Sequence, residues 1–312
     1  MAQPRIPQTS ANGEAREFAV GQAHRQLKHL GLQISRAIKS CNPGAVHDIR
    51  VAIRRFSQAI ALCHAYFPGG GMPRHRRRLK KIMNGAGDVR NCDVALKLVS
   101  KFRVPHAVHL RSKLQTRRKE SAGQLVTELR KWTGRRISFK WKAALDSTLA
   151  PGRKETIHQL ARRTLGRGAK DFLKQGNEAS SPDATAKGLH RFRIASKKFR
   201  YALELFQPLY ESSLNPVVAG IKGVSALLGD LNDCVTVADM VADYKGGNRL
   251  ADRLKKRQDK KTEEFRKYWK QEFSDGDRLR GTIDHLKSPE TPKKPVASSQ
   301  LPSAQPNRES VA

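Results

Sequence analysis

Apolar residues recur at helical spacing along most of the chain, and the sharpest instance is GLHRFRIASKKFRYALELF, residues 188–206. At about 100° per residue, Phe192, Phe199, Leu203 and Phe206 share one side of this segment. His190, Arg193, Lys197 and Arg200 gather on the other within about 80°. Solvent-facing helix surfaces usually mix acids with bases to relieve repulsion, yet only Glu204 interrupts this cationic stripe. On one helix the stripe reads as a solvated charged face. An earlier segment, VHDIRVAIRRFSQAIAL at 46–62, changes that reading because it repeats the pattern 143 positions upstream. His47 aligns with His190, Arg50 with Arg193, Arg54 with Lys197, Arg55 with Lys198 and Phe56 with Phe199. The apolar residues Ile49, Ala52, Ile53, Phe56 and Ile60 keep the same phase, so both segments bury one side and present histidine and cations on the other.

The same spacing organises the rest of the chain. Ala23, Leu27, Leu30, Ile34 and Ile38 predict a first helix over 18–38, broken at Cys41-Asn42-Pro43-Gly44. The first His/Arg helix runs to about 67 and stops at Pro68-Gly69-Gly70-Gly71. A third helix carries the stripe Leu79, Ile82, Met83 and Ala86. GDVRNCDV, 87–94, reads as a helix break whose acids cap the next segment or fix arginines such as Arg90. Helices over about 94–101 and 107–132 follow, then a basic, irregular stretch over 134–152 with a boundary at Pro151-Gly152. The order then repeats: a helix over 155–174, a linker at 177–187 and the His190 helix. Next comes IKGVSALLGDLNDCV, which pairs Lys80 with Lys222 and Gly87 with Gly229 at an offset of 142, before a last helix over 248–273. Residues 1–14 and 288–312 lack periodicity and are expected to be a disordered arm and tail. No stretch sustains period-two alternation. The expected fold is all-α, two pseudo-symmetric helical bundles over 15–150 and 151–287 forming one domain.

Composition adds the chemistry. The 61 Lys and Arg against 28 Asp and Glu give a formal charge of +33, which calls for a polyanionic partner: polyphosphate, nucleic acid or an anionic membrane. No apolar run approaches the roughly 18 residues of a membrane span, and the opening residues lack a signal-peptide hydrophobic region. A cytoplasmic protein with no membrane partner is expected. Cys41, Cys63, Cys92 and Cys234 show no CxxC spacing, so neither a zinc site nor a disulfide framework is indicated. Cys92 and Cys234 occupy equivalent places in the two halves and read as small packing residues.

The duplicated xHxxRxxxR/K pattern, followed in each half by G-D-x-x-N/D, resembles the CHAD family, the conserved-histidine α-helical domains, over roughly residues 15–287. The resemblance implies two pseudo-symmetric α-helical bundles and a basic surface that binds inorganic polyphosphate. It also implies association with polyphosphate granules. The family pattern would place aspartate at Asn91, as it stands at Asp233, so the first half departs from it.

Polyphosphate offers charge and no base edges, so its recognition needs many cationic donors. Arginine supplies a planar fork and lysine a mobile point charge. The candidates are Arg50, Arg54, Arg193 and Arg200, with Lys197 in the place of Arg54. His47 and His190 lie between the arginine rows, where a polyanion would favour imidazolium. Lys80 and Lys222 flank the third helix's stripe and could border the same groove, with Arg77 one turn earlier; both lysines also read as snorkelling surface residues. No cofactor, metal or enzymatic activity is expected. His47-Asp48 imitates the dyad of metal-dependent HD phosphohydrolases, but His190 is followed by Arg191 and no further ligand set has suitable spacing. Neither a Walker loop nor an RHG phosphatase signature occurs. Non-specific nucleic-acid binding is the alternative, though 19 aromatics and no recognisable nucleic-acid motif give it only charge to rest on.

Overall fold

The computed structural model of the chain describes residues 14–66, 73–102, 107–146, 154–210, 213–273 and 281. The expected arm before residue 14, the expected tail and the boundary at 151–152 lie outside them. The described helices are α1 Ala15–Lys39, α2 Pro43–Cys63, α3 Pro73–Phe102, α4 Ala107–Gly134, α5 Ile137–Asp146, α6 Ile157–Ser180, α7 Ala186–Phe206, α8 Asn215–Val241 and α9 Gly247–Phe273. No strand occurs among the described residues; one isolated bridge joins Glu14 to Thr156, just ahead of α1 and α6.

Local chemistry sets where these helices begin. Asn42 caps α2 by accepting from the Ala45 amide at 2.9 Å, with Pro43 at the first helical position, where no amide is missed. Thr156 and Gln159 form a reciprocal capping box at α6, and Thr185 caps α7 by accepting from the Gly188 amide at 3.1 Å.

Burial repeats through the chain and exposes the architecture. In α1 and α6 the buried residues coincide at an offset of 142: Ala15 with Ile157, Ala19 with Ala161, Leu30 with Phe172, Ala37 with Ala179. Ile49 and Phe56 in α2 correspond to Phe192 and Phe199 in α7, and Ile82, Ala86 and Cys92 in α3 to Val224, Leu228 and Cys234 in α8. Leu110 and Leu125 in α4 match Leu250 and Phe265 in α9. The fold is therefore a four-helix unit used twice, with α5 added after the first copy. The halves do not form separate cores. One cluster draws on both, with Phe18 of α1 stacked on Phe206 of α7 at 5.4 Å and Gln22 donating to the Leu205 carbonyl. A second cluster joins the ends of α3 and α8 to α4 and α9.

Three expectations are corrected. The G-D-x-x-N/D segments are not breaks: α3 and α8 run straight through them. Their acids bind arginines instead of capping helices, Asp93 holding Arg118 of α4 at 2.9 Å and Asp230 holding Arg257 of α9 at 3.0 Å. Gly87 serves close approach, since a Cβ there would stand 2.9 Å from an Arg50 guanidinium nitrogen. The stretch after residue 134 is not irregular throughout, because Ile137, Trp141 and Leu145 form the buried stripe of α5 and Trp141 packs edge-on against Phe56 at 5.0 Å. The expected linker also starts later, as α6 continues to Ser180.

The core of the second half depends on one small residue. A Cβ on Gly176 would overlap the Trp269 ring, which also stacks on Phe273 at 4.9 Å and meets Phe172 at 5.3 Å. Gly176→Ala is expected to cost about 1 to 3 kcal/mol despite alanine's better helix propensity. Thermal denaturation checks this, and an unchanged or raised midpoint would contradict it.

Candidate anion-binding site

The apolar faces of α2 and α7 are drawn into the shared core, which turns the two His/Arg stripes toward each other across the pseudo-dyad. Arg50, Arg54, Arg193 and Lys197 end up within mutual electrostatic reach although the halves lie 143 residues apart in sequence. Arg50 donates to the Met83 carbonyl at 3.3 Å, which holds its guanidinium across Gly87. Burial, then repulsion from Arg54, Arg193 and Arg90, lowers it to about 10. Arg193 is lowered by burial and by Arg54, with Asp233 opposing, and its buried Nε has no hydrogen-bond partner. Lys197 is affected most, its ammonium depressed to about 7 by burial and then by Arg193, Arg54, Arg50 and Arg200. Such a cluster repels itself and leaves donors unsatisfied, and an anion would relieve both.

The histidines stand at the edges of the cluster. His47 is exposed overall but partly desolvated, which lowers it together with repulsion from Arg90, Arg54 and Arg50, with Asp48 opposing. His190 places Nδ1 3.0 Å from Asn232 Oδ1, while the Asn232 amide nitrogen donates to Thr236 at 3.2 Å. That orientation makes Nδ1 the protonated nitrogen, so Nε2 becomes a donor only in the imidazolium form. Asn232 corresponds to Arg90 in the first half, and Arg90 crosses the dyad to Asp233 at 3.8 Å. Burial raises the Asp233 carboxyl against the pull of Arg90, Arg193 and Lys197.

A cavity of about 1340 Å³ opens from this cluster. Among its lining are Arg54, Lys80, Arg193 and Lys197 of the expected residues. Arg76 lines it where Arg77 was the candidate, and the exposed Lys222 lies outside it. Arg200 turns to Glu204 at 3.5 Å and covers the Tyr201 ring at 4.7 Å, while Arg55 reaches the same carboxylate from α2 at 3.0 Å. Sequence reasoning passed over Arg163 and Arg167 on α6, which also line the cavity. Their i, i+4 spacing on the polar edge of that helix was the available signal.

Among the described residues no group of three or more His, Cys, Asp or Glu side chains is placed to hold a metal ion, and no helix is long and apolar enough to cross a membrane. Asp233 and Asp230 instead pair with arginines.

The arrangement has relatives of known structure. The chain is similar to the crystal structure of the CHAD domain from the plant Ricinus communis, with 21% identity and a TM-score of 0.66 over 91% of this chain and 96% of that one. It is also similar to PptA from Streptomyces chartreusis, with 15% identity and a TM-score of 0.57 over 88% of this chain and 99% of that one. At these identities the likeness establishes the fold. No curated protein sequence matches the chain. The family model of the CHAD domain, however, matches residues 21–242, from early in α1 to the end of α8, and with the paired histidine helices facing each other inside that span, the chain belongs to the CHAD domain family.

Proposed function

We propose that the protein binds inorganic polyphosphate, without catalysis, in the groove where α2 and α7 meet. The observation that carries this reading is the convergence of Arg50, Arg54, Arg193 and Lys197 from both halves into one half-buried, self-repelling cluster. A chain of phosphates with a charge on every unit neutralises all of them at once. His47, Arg90 and His190 border the groove, Lys80 continues it, and Arg200 supports its wall. Arg77 and Lys222 act through the general field of the surface. The halves 15–150 and 151–287 serve as two faces of one site. Accumulation on polyphosphate granules follows from such a site.

Titration with polyphosphate of defined length tests the reading. With four cations engaged, the log-log slope of affinity against salt is expected to be about −3 or steeper. Affinity per molecule is expected to rise with chain length and then level off at one groove per protein, because contact with one half raises the effective concentration at the other. Single-stranded nucleic acid at equal phosphate concentration should compete poorly. A flat salt plot, two independent equal sites, or preference for the nucleic acid would overturn the proposal.

A further inference from the structure

The halves are pseudo-symmetric, but the cavity is not. It opens from the dyad cluster to one side, between α2 and α3 of the first half and α6 and α7 of the second, and α1, the counterpart of α6, contributes nothing to its lining. On that side the cluster is continued by Arg76, Arg163, Arg167, Arg191 and Lys198. The repeat operation carries these positions to Val218, Gly21, Arg25, Asp48 and Arg55. At these equivalent positions five cations on one side thus stand against two on the other, together with an added carboxylate; one cation on each side is ion-paired, Arg163 with Glu155 at 2.6 Å and Arg55 with Glu204 at 3.0 Å, which leaves four against one. One of these cations is held in place: Glu155, just ahead of α6, grips Arg163 at 2.6 Å and accepts from Tyr66, just after α2, at 2.6 Å. Among the described lining residues Asp171 is the one carboxylate.

We propose that this lateral arm is a second phosphate-binding subsite, so that a long polyphosphate leaves the dyad cluster in one direction only, over α6 and the start of α3. The inference rests on the polyphosphate reading. A symmetric binder would let a chain run out equally across both halves. At the equivalent mirror positions only Arg25 and Arg55 are cations, Arg55 is bound to Glu204, and Asp48 stands where Arg191 stands on the built side. Short chains fill the dyad cluster and never reach the arm. Long chains gain contacts with Arg167, Arg191 and Lys198, all exposed. The arm therefore sets the chain length at which affinity levels off.

The test compares two triple variants of equal charge. Arg167→Ala, Arg191→Ala and Lys198→Ala remove the arm. Arg25→Ala, Lys28→Ala and Arg36→Ala remove as many charges from α1, the mirror counterpart of α6. Binding of long-chain polyphosphate and of tripolyphosphate is measured by calorimetry at two or more salt concentrations, with circular dichroism confirming helicity. The arm variant is expected to lose about tenfold or more on the long chain, to flatten the salt slope by about 2 to 3, and to change tripolyphosphate binding less than about twofold. The mirror variant should stay within about twofold for both ligands. Equal losses in the two variants, or equal losses on long and short chains, would overturn the one-sided path while leaving polyphosphate binding intact. Failure of the unaltered protein to bind long chains would instead overturn the function and this inference with it.

Discussion

Replacing Arg54 and Arg193 together by alanine is expected to weaken long-chain polyphosphate binding by about 2 to 5 kcal/mol, thirtyfold to several thousandfold, without loss of helix. Each guanidinium supplies charge-assisted bonds worth about 1.5 to 3 kcal/mol, less the cost of ordering the chain against it. Neither side chain supports the fold. Both lie on the polar faces of their helices, opposite Phe56 and Phe199, and each repels the other and Lys197. The melting temperature should therefore hold or rise, as for a site maintained for binding at the expense of stability. Calorimetry and thermal circular dichroism measure the two quantities in one preparation. Unchanged affinity would remove the dyad cluster from the site. A collapse of the melting transition would mean that the arginines are structural.

The second large effect is a pH dependence centred on Lys197. Facing its ammonium are Arg193 and Arg200 on its own helix, Arg50 and Arg54 on α2, and Asp233 on α8. A bound polyanion favours the charged form, so binding above pH 7 must draw in a proton. Affinity should be greatest below about pH 7 and fall about tenfold per unit as pH rises past it. The Lys197→Arg variant, which keeps its charge, should lose most of that slope. The same depression governs stability with its own sign. Below pH 7 folded and unfolded chains both carry the proton, and the folded state bears the full strain of the buried charge. From about 7 to the ordinary lysine value only the unfolded chain holds the proton, so stability climbs with pH. Lys197→Met is accordingly expected to raise the melting temperature by roughly 3 to 10 °C at pH 6 and by much less at pH 9. An identical pH slope in Lys197→Arg would assign the titration to another group.

Helix periodicity made most of the fold legible. Residues sharing a face are determined by the 3.6-residue turn alone, so the buried sides of α1, α2, α3 and α7 could be read directly. The matching phases of α2 and α7 likewise disclosed the duplication. The reading failed where one signal had two meanings. Gly87 and Gly229, each followed by an acid, resemble a helix end, and local preference alone would stop the helix there. Tertiary contacts keep it going, because the guanidinium of Arg50 lies against Gly87 and Arg118 and Arg257 neutralise Asp93 and Asp230. The charged residues around α5 masked a three-residue apolar stripe too short to stand out.

By itself the sequence determined that the chain is helical, that it repeats, and that each copy carries a histidine and two cations on a polar face, since all three are properties of spacing along one helix. Partnership between faces is a different matter, because residues distant in sequence meet only through packing. Tertiary structure alone decided that Arg50 and Arg54 oppose Arg193 and Lys197, that Arg90 crosses to Asp233, and that Arg200 turns aside to Glu204. It also decided that the two copies are unequal. Spacing shows Arg163 and Arg167 as an ordinary polar edge of α6, and it is the placement of that edge across from α2 and α3 that makes it the wall of a cationic cavity. The physical reason is that hydrophobic burial selects which faces turn inward, whereas the positions of the remaining charges follow from how the buried faces happen to stack.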